Sequence, residues 1–266
     1  VIDLQPYTEC FKMRKTNTPQ PVSTAQASID VSDIKTADNL TPVTIVIADN
    51  QGRPIEKFND IKEVLMHLVI ISNDLQFFDH IHPSFVGQGR FKVNANFPFS
   101  GDYTLFSDYQ PVGQPENVSV LTQTMQGSPA PEVSINTTLR DTVINETKVL
   151  LHVNEDKAGS KDTSEVKAGE ETTLQFELKQ SGSDEPVKDL RPYLDAMGHL
   201  VIMKQSTQQP PTLDRNSYIH LHPSSTGTAG KVSFTTRFPE SGNYKLWGEF
   251  DQDGQKIVAD FWINVL

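Results

Sequence analysis

Six of the seven histidines in this chain fall into one pattern that occurs twice. The first copy runs His67-Leu68-Val69-Ile70-Ile71 and then His80-Ile81-His82-Pro83; the second runs His199-Leu200-Val201-Ile202-Met203 and then His220-Leu221-His222-Pro223. Side chains two apart on a strand point to the same face, with Cα atoms about 6.5–7 Å apart. His80 and His82 therefore project together, as do His220 and His222. Two such imidazoles can converge on one ion at metal–nitrogen distances of about 2.0–2.1 Å. His67 and His199 begin the preceding strands, so a hairpin carries each of them opposite its pair. The expectation is one three-histidine metal site per repeat. A lone His-x-His reads more simply as a polar strand end, and the ordinary alternative is a histidine bonded to a backbone carbonyl. The repetition of the whole set favours ligation.

The spacing between the histidine strands differs between copies. His67 and His80 are 13 residues apart, His199 and His220 are 21 apart, and the extra residues lie around Gln208-Gln209-Pro210-Pro211-Thr212. A length change between fixed ends is expected when the ends share a task. Asp108 and Glu249 occupy matching places, in Leu105-Phe106-Ser107-Asp108-Tyr109 and Leu246-Trp247-Gly248-Glu249-Phe250. They qualify as a fourth ligand, as carboxylates that orient an imidazole from behind, or as solvated strand residues; the last two are favoured. Met197 lies two before His199 and on a regular strand shares its face, which would add a soft donor, but the first copy has Leu65 there. Three imidazoles suit zinc or copper. Cys10 and Met13 form a soft-ligand pair near the start of the chain, more simply read as part of an irregular tail.

Proline ends each His-x-His pair and cannot donate to a ladder, so the pairs belong at strand ends or edges, where binding groups reach solvent. Each is followed, 15 or 16 residues on, by Phe-Pro and a strand: Phe97-Pro98 then Gly101-Asp102-Tyr103, and Phe238-Pro239 then Gly242-Asn243-Tyr244. The similarity spans about 28–125 and 148–266. The reading is an N-terminal arm over 1–27, a first unit over 28–125, a connection over 126–147 carrying Gly127-Ser128-Pro129-Ala130-Pro131, and a second unit over 148–266. Each unit shows about seven short strands at close, turn-punctuated spacing, in the first near 28–34, 42–49, 64–72, 78–82, 89–96, 102–109 and 115–124. That predicts an all-β chain of two tandem immunoglobulin-like, or cupredoxin-like, antiparallel sandwiches. The best candidate for a helical turn is Asp60-Ile61-Lys62-Glu63.

A net charge of −11 disfavours nucleic acid and anionic membrane as partners, since both need basic patches. No run of 18 apolar residues is present, which excludes a transmembrane helix from this sequence. One cysteine excludes an internal disulfide framework. The chain begins at Val1 without the basic and apolar segments of a signal peptide, so an exported protein would carry its signal outside this numbering. Asn117, Asn136 and Asn145 fit the glycosylation sequon at near-background frequency. His152 reads as a surface strand residue, and Asp251-Gln252-Asp253-Gly254 as a hairpin turn rather than a calcium loop. No nucleophile elbow, phosphate loop or dinucleotide fingerprint occurs.

The run from Met66 to Pro83, followed by Phe97-Pro98 and Gly101-Asp102-Tyr103-Thr104-Leu105-Phe106-Ser107-Asp108-Tyr109, resembles bacterial exported β-sandwich proteins with a His…His-x-His-Pro motif. These are broadly similar to the periplasmic copper-binding sandwiches of the copper-resistance C type. The resemblance covers both units. It implies an extracytoplasmic location and copper or zinc bound at His67, His80 and His82, and at His199, His220 and His222. The expected function is metal buffering or delivery without catalysis, with the ion and a metal-delivery or cell-envelope protein as the expected partners. Two other readings stand beside it: a tandem immunoglobulin-like interaction module with structural histidines, and a metalloenzyme. Metal affinity is expected to fall as pH drops through about 6.5, where free imidazole protonates.

Overall fold

The computed structural model describes residues 23–31, 40–154, 165–192, 196–223 and 230–266. Cys10, Met13 and most of the arm lie outside the described residues. Among the described residues there is no α-helix, and none is long and apolar enough to cross a membrane. The chain is all-β, with four antiparallel sheets in two similar halves.

In the first half one sheet holds β1 (Gln26–Asp30), β2 (Thr41–Ala48), β7 (Arg90–Ala95) and β6 (Ser84–Phe85) in that order. Its partner sheet is built on β8 (Gly101–Pro111), which pairs with β9 (Asn117–Met125) along one edge and with β4 (Met66–Ser72) along the other. β5 (Phe78–Ile81) completes it beyond β4, and β3 (Phe58–Asn59) pairs with the end of β8. The second half repeats this. One sheet runs β10 (Asp141–Ile144), β11 (Thr147–Val153), β12 (Glu171–Gln180) and β16 (Lys231–Arg237). The other is built on β17 (Gly242–Gln252), between β18 (Gln255–Val265) and β14 (His199–Lys204), with β15 (Tyr218–Leu221) outside β14 and β13 (Leu190–Arg191) at the end of β17.

The boundaries differ from the sequence reading at two places. The first strand starts at Gln26, inside the expected arm. The expected connection contains β10, which folds back on β11 through a turn at Asn145, where φ is +55°. The second-unit insertion is also not a free loop. It ends in a short 3-10 turn at Arg215–Ser217, buries Leu213, and accepts a 3.0 Å hydrogen bond at the Pro211 carbonyl from Asn73 of the first unit.

Each sandwich has its own core. Val43, Ile45, Phe91, Leu68, Ile70 and Leu105 fill the first, and Leu151, Phe176, Phe234, Leu200, Ile202 and Phe261 the second. A third apolar layer lies between the halves. It takes Val69, Ile71, Leu75 and Phe106 from the first and Val201, Met203, Leu213, Tyr218, Trp247 and Trp262 from the second. Alternation explains the split: Leu68 and Ile70 point into the first sandwich while Val69 and Ile71 point away from it. β4 is therefore buried along its whole length, which is why His67–Ile71 carries apolar residues on both faces.

The halves meet in an approximately two-fold manner. Phe78 stacks on Trp247 at 5.0 Å and 11°, and its counterpart Tyr218 stacks on Phe106 at 4.2 Å and 3°. A fully buried side chain of this size contributes about 1.5–3 kcal/mol, so this apolar layer favours docking of the halves. Gly248, beside Glu249, is fixed instead by the second core: a Cβ there would lie 2.8 Å from Phe176.

Candidate metal centre

The docked faces carry the histidines. His67, Val69 and Ile71 share one face of β4, and Phe78, His80 and His82 the adjoining face of β5 and its end. Their counterparts are His199, Val201 and Met203, and Tyr218, His220 and His222. Within the first unit the ring centroids of His67, His80 and His82 are 4.8–5.2 Å apart; within the second those of His199, His220 and His222 are 5.0–5.8 Å apart. Each triplet meets across its hairpin. The triplets also meet each other: His80 lies 5.0 Å from His220 and 5.3 Å from His199, and His67 lies 5.4 Å from His220. The expected pair of separate sites is thus replaced by one six-histidine cluster between the halves. The reason is the third apolar layer, which presses the two histidine faces together.

The carboxylates act across that boundary. Asp108 faces His67 in the ladder of its own sheet, yet its Oδ2 accepts from Nδ1 of His220 at 2.9 Å and from the Tyr218 hydroxyl at 3.1 Å. Glu249 faces His199 in its own sheet, and its Oε2 accepts from Nδ1 of His80 at 2.5 Å. Both carboxylates are buried and each holds an imidazole of the other half, the second of the roles their sequence positions allowed. The Lys256 ammonium lies 2.5 Å from Glu249 Oε1 and donates to the His80 carbonyl at 3.1 Å.

These bonds fix which ring nitrogens carry protons. A carboxylate only accepts, so Nδ1 of His80 and of His220 is N–H and Nε2 of each neutral ring is a lone pair. His67 Nε2 lies 3.0 Å from the Ile61 carbonyl, so it donates and leaves Nδ1 as the lone pair. His67 Nδ1 and His80 Nε2 then face each other at 3.0 Å with no proton between them. His220 Nε2 is buried and has no hydrogen-bond partner among the described residues, as is also true of His222 Nε2. One ring nitrogen from each of His67, His80 and His220 lies within 4.8 Å of the others. Tetrahedral zinc sets ligand nitrogens about 3.3 Å apart, so small side-chain rotations bring the three onto one ion.

Protonation does not relieve the opposed lone pairs. Burial holds the His67 imidazolium down to about 4, and a charge on His220 pushes the same way. Burial drives His80 well below its usual value, followed by the neighbouring His220, His82 and His67. His82 and His222 sit at about 4 and His199 at about 2, again through burial first and other histidines next. Burial thus favours the neutral form of His67, His80, His82, His199 and His222, the state a metal requires. Sequence alone placed this proton competition near 6.5; burial lowers it.

The Ile61 carbonyl is held by an unusual turn. Lys62 and Glu63 both have positive φ, 49° and 67°, and Ile61 and Val64 exchange hydrogen bonds of 2.7 and 3.3 Å. The segment expected to be a helical turn is thus a left-handed two-residue hairpin turn. Neither residue is glycine, so the conformation costs energy, and the carbonyl it delivers sets the His67 tautomer. No sequence signal marks this. Met197 does not join the cluster: β14 starts only at His199, after Gly198, and Met197 packs against the second core. His152 is a strand residue paired with Glu177 at 3.0 Å, away from the six. Asp253 and Gly254 form the expected hairpin turn, with φ of 50° and 85°.

A cleft of about 620 Å3 opens on one side of the cluster, lined among others by Lys62, His67, Asp108, Glu116, Arg215, His220 and His222.

Asp108→Asn is expected to weaken metal binding about 10- to 100-fold with the fold intact, because the amide no longer enforces Nδ1–H on His220. Competition with a chromophoric chelator measures this, and an unchanged affinity would show that the carboxylate does not orient the ring.

No curated protein matches the chain. Among solved structures, the soluble domain of PmoD from Methylocystis sp. ATCC 49242 is 18% identical with a TM-score of 0.33, covering 49% of this chain and 100% of that one. A bacterial ice-binding adhesin is 8% identical with a TM-score of 0.27, covering 91% of this chain and 64% of that one. An alpha-2-macroglobulin from Salmonella is 8% identical with a TM-score of 0.28, covering 92% of this chain but 15% of that one. Sequence similarity at the level of a family is carried by both halves. The chain belongs to the family described as Domain of unknown function (DUF8832), which it matches over residues 22–126 and 152–266.

Proposed function

We propose that this protein binds a transition-metal ion, copper or zinc, in a single centre shared by its two sandwiches, and that it buffers or delivers that ion outside the cytoplasm without catalysing a reaction. The observation that carries the reading is the 3.0 Å approach of His67 Nδ1 and His80 Nε2. Both are lone pairs once Ile61 and Glu249 take the protons of the other ring nitrogens. Buried groups of like polarity do not face each other at that distance without cost, and a cation between them removes the cost. The ligand chemistry supports zinc or copper, since neutral imidazole suits both. Asp108 and Glu249 are each engaged by an imidazole, as carboxylates that orient metal-ligating histidines are. The extracytoplasmic placement rests on the resemblance to exported sandwiches.

Calorimetric titration of metal-free protein with Zn(II), Cu(II) and Cu(I) tests this. At least one ion is expected to bind with a submicromolar Kd; heats no larger than those of a chain with all six histidines replaced by alanine would overturn it.

A further inference from the structure

The two-fold likeness of the centre is broken at one pair of positions. Asp108 pairs with Val118 across β8 and β9, and Glu249 pairs with Val258 across β17 and β18. Two residues before those valines stand Glu116 and Lys256, so the same place in the fold carries opposite charges. On the second-unit side Lys256 ties down Glu249 and covers the His80 carbonyl, and it also lies 3.8 Å from Asp79. Among the described residues, two cavities bordered by Lys256 have linings that include none of the six histidines. On the first-unit side no lysine takes that place. Glu116 is exposed and borders the cleft of about 620 Å3 whose lining includes His67, His220 and His222.

The inner end of that cleft is set for a cation. Asp108 is 3% exposed and its Oδ1 has no hydrogen-bond partner among the described residues; the same holds for Nε2 of His220 and of His222. Glu116 at the lining and the Asp108 carboxylate oxygen, with the unpartnered ring nitrogens of His220 and His222, place acceptor atoms along the same cleft. Two cations, Lys62 and Arg215, also line the cleft, so Glu116 and Asp108 offset them. Arg215 is partly engaged, with Nη1 donating to the Tyr218 carbonyl at 3.1 Å.

We propose that the metal ion reaches the centre through the Lys62–Glu116–Arg215 cleft and that Glu116 is the residue that admits it, while Lys256 covers the side of Glu249 and His80. This rests on the metal-binding reading and adds the route. Charge reversal at the mouth changes the local potential without touching a ligand, so it acts on the rate of loading and not on the final affinity.

Stopped-flow mixing of the metal-free chain with Cu(II), followed by quenching of Trp247 and Trp262, measures that rate. Glu116→Lys is expected to slow loading about ten-fold at low ionic strength and leave the equilibrium Kd within about three-fold, and added salt shrinks the difference. Arg215→Ala is expected to speed loading. Glu171→Lys makes the same charge change on the far sheet of the second unit and is expected to load at the unaltered rate. Loading of Glu116→Lys at the wild-type rate, or an equal slowing by Glu171→Lys, overturns the route while leaving the metal centre standing. If the unaltered chain takes up no Cu(II), Zn(II) or Cu(I) at equilibrium, the centre itself is refuted and the route with it.

Discussion

His80→Ala removes high-affinity metal binding from the whole chain, not from half of it. The expected loss is at least about 100-fold in Kd, or about 2.8 kcal/mol at 1.4 kcal/mol per decade, and His220→Ala in the other half causes a loss of similar size. The prediction follows from the merger of the triplets. His80 and His220 sit 5.0 Å apart, each held by a carboxylate of the opposite half, and both contribute to the group of nitrogens that closes on one ion. Two independent sites would behave differently: His80→Ala would leave a second site with unchanged affinity, and the two losses would add. In a shared centre the double variant is hardly worse than either single one, because the first substitution has already removed what the second would remove. Titrations of the two single variants and the double, with far-UV circular dichroism to show that the sandwiches persist, decide the matter. A remaining site of wild-type affinity in either single variant would sink the shared centre.

The strands and the duplication were legible because they rest on local rules. Apolar alternation at Thr41–Ile47 and at Thr172–Leu178, Phe-Pro before a strand, and proline after each His-x-His pair all follow from two-residue periodicity and turn chemistry. The convergence of each triplet followed from the same periodicity with one hairpin added. The merger did not, because it depends on which sheet faces are left to pack once each core is filled. A signal was present all the same. Leu68-Val69-Ile70-Ile71 and Leu200-Val201-Ile202-Met203 are apolar at every position, and a strand of that kind is covered on both faces. With Phe106 and Trp247 at equivalent outward places, it points to the two sheets docking on each other. Docking in turn puts the histidines at the starts of β4 and β14 into one layer. Following the hairpins alone gives one site per repeat and leaves the two apart. The crossed roles of Asp108 and Glu249 become visible only after that step, and the left-handed turn at Lys62 and Glu63 has no sequence mark, since neither residue favours positive φ.

Acid is expected to separate the two halves before it unfolds them. His67, His80 and His199 are buried, and burial lowers the folded-state value to about 4 for His67, well down for His80, and to about 2 for His199. In an exposed chain each returns to about 6.5. The sign is therefore that of a depressed group: above pH 6.5 both states are neutral and the full stability is present. As pH falls from about 6.5 towards 4, the open state takes up protons that the closed state refuses, and stability is lost. At pH 5 His67, His80 and His199 all act in that direction, with the half-buried His82 and His222 adding less. The loss falls on the docking of the halves, because the histidines face each other between them. Trp247 and Trp262 belong to the same layer, so their emission reports the opening. Metal-free protein is expected to show a red shift of tryptophan emission between pH 6 and about 4.5 with the far-UV signal unchanged. Bound metal competes with protons for the same lone pairs and moves that transition to lower pH. Emission that stays constant down to pH 4.5 without metal, or a transition that metal does not move, would mean that the six imidazoles are not the groups holding the halves together in their neutral form.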